Sequence, residues 1–294
     1  MVKEVARAKI NLTLDILGVR ADGYHEVSMI MQAIELADEV ELKKSLRGIS
    51  LTMDATKIIG GENIPLDEKN LAWKAAIEFQ KFCGKNLGVE ISITKKIPMA
   101  AGLAGGSTDA AAVIRGMNRL YEMNLSDEEL CKIGERVGSD VPFCIIGGTC
   151  LAEGRSEILT KLPPIKNFGV VLAKPHGEIS TAWAYKTYDE NPAKTHPPNK
   201  EIIEQFKRGE YDKAFKNFYN VLENITLKKI PAIADLKSTM LAAGANVALM
   251  SGSGPTVFAL TDKQNAEKIS ESVKDSGAQI FLSVTRSEFL GTKN

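Results

Sequence analysis

The sequence has no excess of charge of either sign. It carries 37 Lys and Arg residues against 37 Asp and Glu residues in 294, so its formal net charge at pH 7 is zero. Nucleic-acid binding and adhesion to anionic membranes usually depend on a basic surface, which a balanced composition does not supply. We therefore expect no nucleic-acid partner, and any anionic ligand must be held by local geometry.

The sequence also lacks the marks of export, membrane insertion and structural metal binding. No apolar segment follows the N-terminal methionine, and no apolar run of about 18 residues occurs anywhere. The four cysteines form no Cys-x-x-Cys pair and show no metal-like spacing with the three histidines. These absences predict a cytoplasmic protein with reduced thiols and no membrane partner. They leave the oligomeric state, monomer or homodimer, open.

The length and the order of predicted elements indicate an α+β protein in two halves. A chain of 294 residues suits roughly two domains of about 150 residues each. After residue 168 the predicted order is strand, helices, two strands, helix and strand, which is the split β-α-β arrangement. We place the boundary between 155 and 168, with an N-terminal domain over 1–160 and a C-terminal domain over 161–294.

Hydrophobic periodicity and capping residues predict the individual elements. The predicted strands are Ala6–Ile16, Met29–Glu35, Glu39–Lys43, Ile49–Met53, Val89–Ile93, Cys144–Ala152, Val170–Ala173, Asn246–Met250, Thr256–Leu260 and Gln279–Val284. The main predicted helices are 70–82 with Asn70 as its cap, Thr108–Tyr121, one that begins at the capping box Ser126–Glu129 and ends near Gly138, Thr181–Tyr188, Pro231–Ala243 and Lys263–Ser276.

The first predicted strand carries two polar residues that are candidates for a site. Between Ala6 and Ile16 the even positions are all apolar and the odd positions all polar, so Lys9 and Asn11 lie side by side on the face away from the core. Taken alone, this alternation favours a solvated outer face. A functional pair on the strand is the alternative.

A glycine-rich stretch over Pro98–Ala112 is the strongest indication of a ligand. Its three glycines, Gly102, Gly105 and Gly106, fall within five positions. Glycine lets backbone N–H groups turn toward a ligand, and a loop that opens onto a helix N-terminus suits a phosphate. The alternative is an ordinary helix start with a Ser107 or Thr108 cap. Because the stretch has no Walker A lysine, it is not the P-loop of an ATPase.

Three further motifs have both a structural and a functional interpretation. Asp140 lies in Gly138–Phe143 before a proline, where a lone aspartate usually shapes a turn. The segment Ser251–Pro255 joins two predicted strands and is either a tight hairpin or a loop that closes over phosphates. An Asp-Gly turn leads to Tyr24 and His25, an aromatic and an imidazole at the end of a loop.

Five motifs spread over both halves resemble the GHMP kinases, the superfamily named for galactokinase, homoserine kinase, mevalonate kinase and phosphomevalonate kinase. The motifs are Ala8-Lys-Ile-Asn-Leu12, Arg20-Ala-Asp-Gly-Tyr-His25, Ala101-Gly-Leu-Ala-Gly-Gly-Ser-Thr-Asp109, Gly138-Ser-Asp-Val-Pro-Phe143 and Met250-Ser-Gly-Ser-Gly-Pro255. The sequence is most similar to one branch, the kinases of 4-diphosphocytidyl-2-C-methyl-D-erythritol. The resemblance implies a two-domain fold with a ribosomal-S5-domain-2-like N-terminal half and a ferredoxin-like C-terminal half.

The resemblance also implies an activity, the ATP-dependent phosphorylation of the substrate 2-hydroxyl in the non-mevalonate pathway to isoprenoid (terpenoid) precursors. The substrate is a small molecule with a cytidine diphosphate head group. Mg²⁺ is expected with the ATP, but its protein ligands stay open, because no glutamate can be matched to the one that some branches use. The chain departs from other branches where they carry paired serines, since it has Gly105-Gly106-Ser107-Thr108 there.

Residue roles follow from the same resemblance. Asp140 is the expected base that accepts the proton of the attacking hydroxyl, and Lys9 the expected cation beside it. The expected ATP-binding residues are Pro98, Met99, Ala100, Ala101, Gly102, Leu103, Ala104, Gly105, Gly106, Ser107 and Thr108, of which the last two contact phosphate or Mg²⁺. The expected closing residues over the phosphates are Ser251, Gly252, Ser253 and Gly254.

Four residues are expected to bind the substrate. Asn11 reaches the substrate diphosphate or the acceptor hydroxyl, Tyr24 stacks on the cytosine ring, and His25 hydrogen-bonds the pyrimidine edge. Tyr185 is inferred only from its spacing in the segment Ile179–Tyr185. It either stacks on the opposite face of the cytosine or packs in a helix core.

Two other functions compete with this one. Another alcohol kinase of the same superfamily is the nearest, and the Tyr24-His25 loop and the motif Gly138–Phe143 argue against it. A non-catalytic nucleotide or RNA binder is the alternative from a different class, because a fold does not fix a function. Zero net charge argues against RNA, and the presence of both Lys9 and Asp140 argues against a dead enzyme.

Overall fold

The N-terminal half is a mixed sheet with helices on one face. The computed structural model describes residues 1–165 and 167–290, and within them this sheet has six strands in the order β3-β4-β2-β5-β6, with β1 also paired to β2. The strands are β1 (Val2–Val19), β2 (His25–Lys44), β3 (Ile49–Asp54), β4 (Val89–Thr94), β5 (Thr149–Gly154) and β6 (Ile158–Lys161). Only β3 and β4 pair in parallel, and the other pairs are antiparallel.

The helices of this half are α1 (Leu71–Cys83), α2 (Gly105–Leu120), α3 (Asp127–Val137) and α4 (Val141–Ile146). The predicted caps are confirmed: the Asn70 side chain accepts from Ala72 N–H, and Ser126 and Glu129 form a capping box at α3. Alanines on α2 leave little side-chain bulk, so this helix lies buried between α1 and the sheet.

The C-terminal half has the predicted split β-α-β arrangement. Its four described strands form an antiparallel sheet in the order β10-β7-β9-β8. They are β7 (Gly169–Lys174), β8 (Val247–Met250), β9 (Val257–Thr261) and β10 (Gln279–Val284). The helices are α5 (Thr181–Glu190), α6 (Asn199–Lys207), α7 (Tyr211–Phe215), α8 (Glu223–Lys229), α9 (Ala232–Ala242) and α10 (Ala266–Ser272). The domain boundary near residue 160 stays a prediction, and it falls at the end of β6, before the connection to β7.

Two predicted strands are joined in the structure, and a third is partly wrong in kind. The predicted strands on either side of residue 37 are one strand, β2, of 20 residues. Its register against β1 shifts once between Ala33 and Ala37, and the Leu36 N–H there donates to Ser283 Oγ at 2.9 Å, which interrupts the alternation without ending the strand. The predicted strand Cys144–Ala152 is instead the end of α4, a left-handed Gly147-Gly148 pair and the start of β5. A short apolar run does not distinguish strand from helix.

Two predicted helices have different limits. Helix α2 begins at Gly105, three residues before the predicted start. The predicted helix Lys263–Ser276 is α10 flanked by two 3₁₀ turns, because Val273 leaves helical geometry at φ −110° and ψ 4°.

Strand β1 lies between two apolar cores, so the predicted solvated outer face is wrong. Lys9 and Asn11 are 4% and 1% exposed. Ala8, Ile10 and Leu12 pack with residues of the C-terminal sheet, whereas other apolar residues of β1 pack in the core under α1 and α2. The register of β1 against β2 shifts between Arg7 and Lys9 and again between Asn11 and Thr13. These shifts change which core the apolar side chains of β1 enter. Lys9 and Asn11 therefore face the interior where the halves meet.

Across the described ranges, no helix has both the length and the apolar composition needed to cross a membrane. All four cysteines are free thiols.

Candidate active site

A cavity of about 980 Å³ lies where the two halves meet. Its walls are β1, α5, the glycine loop (residues 98–107) and the hairpin loop (residues 251–255). Of the site residues predicted from the sequence, the cavity is lined by Lys9, Asn11, Tyr24, His25, Pro98, Met99, Ala100, Ala101, Gly102, Leu103, Ala104, Gly105, Gly106, Ser107, Asp140, Tyr185, Gly252, Ser253 and Gly254. Thr108 and Ser251 lie just behind it.

The glycine loop has an alternating backbone. Ala100, Gly102 and Ala104 have φ of 46°, 73° and 60°, and the residues between them do not have positive φ. Alternation of this kind turns successive N–H groups toward one point and forms a concave anion site. Two of the three left-handed residues are alanines, which adopt this region at a cost, so the conformation is maintained by its surroundings.

The start of α2 continues the anion site. Ala104 is its N-cap and offers no side-chain hydrogen bond, so the first amides of the helix stay free for a ligand. The suggested caps are wrong, since Ser107 and Thr108 lie inside the first turn. Thr108 is buried and its Oγ1 donates to the Gly105 carbonyl at 2.9 Å. Of the two hydroxyls, only that of Ser107 belongs to the cavity wall.

The hairpin loop supports the glycine loop from behind. Ser251 Oγ donates to the Gly102 carbonyl at 2.9 Å, and a Cβ on Gly102 would lie 2.1 Å from the Ser251 carbonyl oxygen. Only glycine allows this approach at a positive φ. Asn220 fixes the hairpin loop in turn, because its Nδ2 donates to the carbonyls of Met250 and Gly252 at 2.8 Å each.

Lys9 brings its ammonium group under the glycine loop. Lys9 Nζ donates to Asn11 Oδ1 at 2.6 Å and to the Gly102 carbonyl at 3.0 Å. It lies 3.8 Å from Asp140 Oδ2, an ion pair in which the lysine side chain is 5% exposed and the aspartate side chain 31%. The sequence analysis paired Lys9 with Asp140. The structure brings these two residues together, although they lie at opposite ends of the N-terminal half.

Asp140 directs its carboxylate to the cavity instead of to its own helix. It is the N-cap residue of α4, but its side chain makes no capping hydrogen bond. Ser156 Oγ donates to Asp140 Oδ1 at 2.9 Å. Ser156 is a residue that the sequence analysis missed, since a serine in a hairpin turn has no distinguishing pattern.

Aromatic side chains from both halves line the part of the cavity formed by the β1–β2 turn and α5. Tyr24 is 53% exposed and has the Arg155 guanidinium 5.0 Å from its ring centroid. The His25 ring lies 4.8 Å from the Tyr185 ring at 51°, and His25 Nε2 bonds to Asp189 Oδ1 at 2.8 Å. Tyr185 and Asp189 are one turn apart on α5, so one helix face holds the histidine. Burial, with the charge of Asp140 in addition, raises the pKa of the Tyr185 phenol.

A buried charged cluster beneath the glycine loop also escaped the sequence analysis. Lys95 Nζ donates to Asp109 Oδ2 at 2.6 Å and to Asp38 Oδ2. Asp38 Oδ1 also accepts from the N–H groups of Lys96 and Ile97, at 2.5 and 2.8 Å. One cation thus faces two carboxylates. Burial, with the Asp38 charge, raises the pKa of Asp109 to about 8 against the opposing effect of Lys95.

The described residues do not contain a cluster of three or more His, Cys, Asp or Glu side chains with metal-binding geometry. Asp109 Oδ1 is buried without a hydrogen-bond partner.

The raised pKa of Asp109 gives a prediction for stability. In the folded chain burial raises the pKa of Asp109 to about 8, against an ordinary value of 3.8 for an aspartate. Between these values only the folded state binds this proton, so the free energy of unfolding should fall as the pH rises through the window. Asp109→Asn should flatten this slope in urea unfolding from pH 5 to 8. Asp212→Asn, an exposed site on α7, is the control. Equal slopes for wild type and Asp109→Asn would contradict the assignment.

Comparison with known proteins gives the same family from both halves. Residues 70–148 match the model described as the GHMP kinases N terminal domain, and residues 195–279 match that described as GHMP kinases C terminal. A solved structure titled as a crystal structure of 4-(cytidine 5'-diphospho)-2C-methyl-D-erythritol kinase superposes with a TM-score of 0.81 at 28% identity, covering 98% of this chain and all of that one.

Curated relatives extend the similarity to sequence over nearly the full length. The 4-diphosphocytidyl-2-C-methyl-D-erythritol kinase of Acetivibrio thermocellus is 44% identical over 95% of this chain and 97% of its own length. That of Clostridium beijerinckii is 43% identical over 97% of this chain and 100% of its own. With both GHMP kinase regions matched and the glycine loop, Lys9 and Asp140 around one cavity, the chain belongs to the 4-diphosphocytidyl-2-C-methyl-D-erythritol kinase family of the GHMP kinases.

Proposed function

We propose that this chain transfers the γ-phosphate of ATP to the 2-hydroxyl of 4-diphosphocytidyl-2-C-methyl-D-erythritol, a step toward isoprenoid precursors. Relatives at 43–44% identity over nearly their full length carry that substrate in their names. The observation that carries the proposal is the convergence of Lys9 Nζ, Asp140 Oδ2 at 3.8 Å and the Gly102 carbonyl at 3.0 Å beside an anion-binding loop.

The phosphate end of the cavity would bind ATP through backbone groups. N–H groups of the glycine loop and of the first turn of α2 would surround the β- and γ-phosphates, and the helix dipole would favour their negative charge. In phosphoryl transfer the protein contributes mainly positioning and charge neutralisation. A rigid nest of amides supplies both without a P-loop lysine.

Mg²⁺ would enter with the nucleotide. It dehydrates reluctantly and usually takes one or two protein oxygens together with substrate phosphates and water. The Ser107 hydroxyl at the loop end would hold it, and Asp109 Oδ1 beneath the loop would join once the Asp109 carboxyl gives up its proton to the ion's charge. When bound, the ion neutralises charge on the phosphates.

The adenine ring would occupy the apolar end of the cavity behind the phosphates. The wall there is lined by Met53 of β3, by Leu71 at the start of α1, and by Ile64 and Pro65 in the connection between them. A flat heterocycle buries its faces well against such side chains, and few polar groups are needed to orient it.

Beside the glycine loop, Asp140 and Lys9 would act on the acceptor alcohol. The Asp140 carboxylate accepts the proton of the attacking hydroxyl, and the Lys9 ammonium stabilises the negative charge that moves with the phosphoryl group. Lys9 is positioned for this by Asn11 Oδ1 at 2.6 Å. Asn11 in turn is available to the substrate diphosphate or hydroxyl from the cavity wall.

The cytidine head group would lie between the aromatic residues of the two halves. Tyr24 from the first half and Tyr185 from the second line the cavity and would stack on the cytosine, and His25 would form edge hydrogen bonds from its backbone or ring. Base–aromatic stacking is worth about 1–3 kcal/mol per base in nucleic-acid binders. Three of the four substrate contacts come from residues before position 26, so the β1–β2 segment would decide the substrate.

An ADP-release assay with a panel of alcohols tests the function. We expect turnover with 4-diphosphocytidyl-2-C-methyl-D-erythritol that requires Mg²⁺, and none above background with mevalonate or homoserine. Preference for either of those two alcohols would move the chain to another activity of the superfamily. If none of the three alcohols leads to ADP release, the chain is a non-catalytic nucleotide-binding protein and the proposed activity is wrong.

Removal of either proposed catalytic side chain should abolish most turnover. Asp140→Asn loses the proton acceptor and Lys9→Ala loses the cation, so each should lower kcat by roughly 10²-fold or more. ATP affinity, measured by calorimetry with a non-hydrolysable analogue, should change little for Asp140→Asn. Near-wild-type turnover in either variant, with ATP affinity intact, means that its role is wrong.

Substitution of Tyr24 separates substrate recognition from chemistry. Tyr24→Ala should raise the KM for the cytidyl substrate by roughly 10-fold through loss of stacking, with a smaller effect in Tyr24→Phe, which keeps the ring. The KM for ATP is the internal control and should stay the same. An unchanged cytidyl KM in Tyr24→Ala would remove this residue from the site.

A further inference from the structure

Ser156 lies in the turn between β5 and β6, directly against the Asp140 carboxylate. Its Oγ donates to Asp140 Oδ1 at 2.9 Å, and the residue is 1% exposed. The other carboxylate oxygen, Oδ2, lies 3.8 Å from Lys9 Nζ. Across residues 1–165 and 167–290, Ser156 is the one side chain that hydrogen-bonds this carboxylate. The Ser156 hydroxyl thus fixes Oδ1 of the Asp140 carboxylate, and Oδ2 faces Lys9 and the cavity.

The backbone at Ser156 is in a conformation that suits glycine. Its φ is 94°, in the left-handed region that residues with a side chain rarely adopt. Gly154 in the same turn has a φ of 72° and adopts it freely. The backbone of a serine at such a φ is strained. Strain of this kind is found where the surroundings or the function require the side chain. The contact that its hydroxyl makes is with Asp140.

We infer that Ser156 is a positioning residue, which holds the Asp140 carboxylate in the orientation needed to accept the proton of the acceptor hydroxyl. The inference rests on the proposed kinase function and on the role of Asp140 in it. Ser156 acts through Asp140 and needs no contact with substrate.

The physical effect is on the reacting geometry. A carboxylate free to rotate about its Cα–Cβ and Cβ–Cγ bonds spends only part of its time aimed at the incoming hydroxyl, and small misplacements of a catalytic group lower the rate steeply. This effect belongs to the chemical step, so it appears in kcat more than in KM.

Two substitutions separate the hydroxyl from the backbone. Ser156→Ala removes the hydroxyl and keeps a side chain at the strained position, whereas Ser156→Gly removes the hydroxyl and relieves the strain. We expect kcat to fall roughly 3- to 30-fold in both, by similar factors, with the KM values for ATP and the cytidyl alcohol within about twofold of wild type. Ser50→Ala, exposed on β3 far from the cavity, is the matched control and should match wild type.

Thermal unfolding of the same variants excludes a merely structural effect. Ser156→Gly should unfold no lower than Ser156→Ala, because glycine accepts the positive φ, and yet it should be equally impaired in kcat. If Ser156→Ala fails to fold, Ser156→Gly carries the test alone. A kcat within twofold of wild type in Ser156→Gly, a loss in only one of two folded variants, or a rise in KM at constant kcat would each overturn the inference.

Asp140→Asn measured alongside keeps the two proposals apart. If Asp140→Asn retains turnover, the proposed role of the base has failed, whatever Ser156 does. If Asp140→Asn loses turnover and both Ser156 variants match wild type, only the role of Ser156 has failed. In the Asp140→Asn background Ser156→Ala should cost less than about twofold, since its effect acts through the missing carboxylate, and a full additional loss would contradict that coupling.

Discussion

The carbonyl oxygen of Gly102 accepts two hydrogen bonds, from Lys9 Nζ at 3.0 Å and from Ser251 Oγ at 2.9 Å, and most of the site depends on this meeting point. The N-terminal strand, the glycine loop and the hairpin loop of the other half are tied together there. Gly102 must be glycine, because a Cβ would lie 2.1 Å from the Ser251 carbonyl oxygen. The two halves therefore fix the shape of the anion site jointly, and neither contains it alone.

The fold supports the contacts at the Gly102 carbonyl by burying polar residues of β1 that would ordinarily face water. Strand β1 runs between two apolar cores, so Lys9 and Asn11 are held by each other and by the loop above them. A buried ammonium is costly unless it is paired, and here it has an amide oxygen, a carbonyl and the Asp140 carboxylate as partners. Beneath the loop, Lys95 with Asp38 and Asp109 forms a second buried cluster, so the loop lies between two sets of charges.

The sequence predicted the architecture and picked out residues that line one cavity, but it could not predict how they are held. The caps at Asn70 and Ser126 and the split β-α-β order depend on local rules and were confirmed. The burial of Lys9 was missed because a strand covered on both faces has the same alternation as one at the surface. Left-handed alanines at 100 and 104, and the Ser156 contact with Asp140, arise from tertiary packing that no local pattern encodes.

A crystal structure with a non-hydrolysable ATP analogue and the cytidyl alcohol tests the central claim most directly, namely that one glycine-lined cradle brings Lys9, Asp140 and the transferred phosphate together. The account predicts the γ-phosphate against the amides of the glycine loop and the acceptor hydroxyl within about 2.6–3.2 Å of the Asp140 carboxylate. Phosphates bound away from this loop, or an acceptor hydroxyl turned away from Asp140, would contradict it.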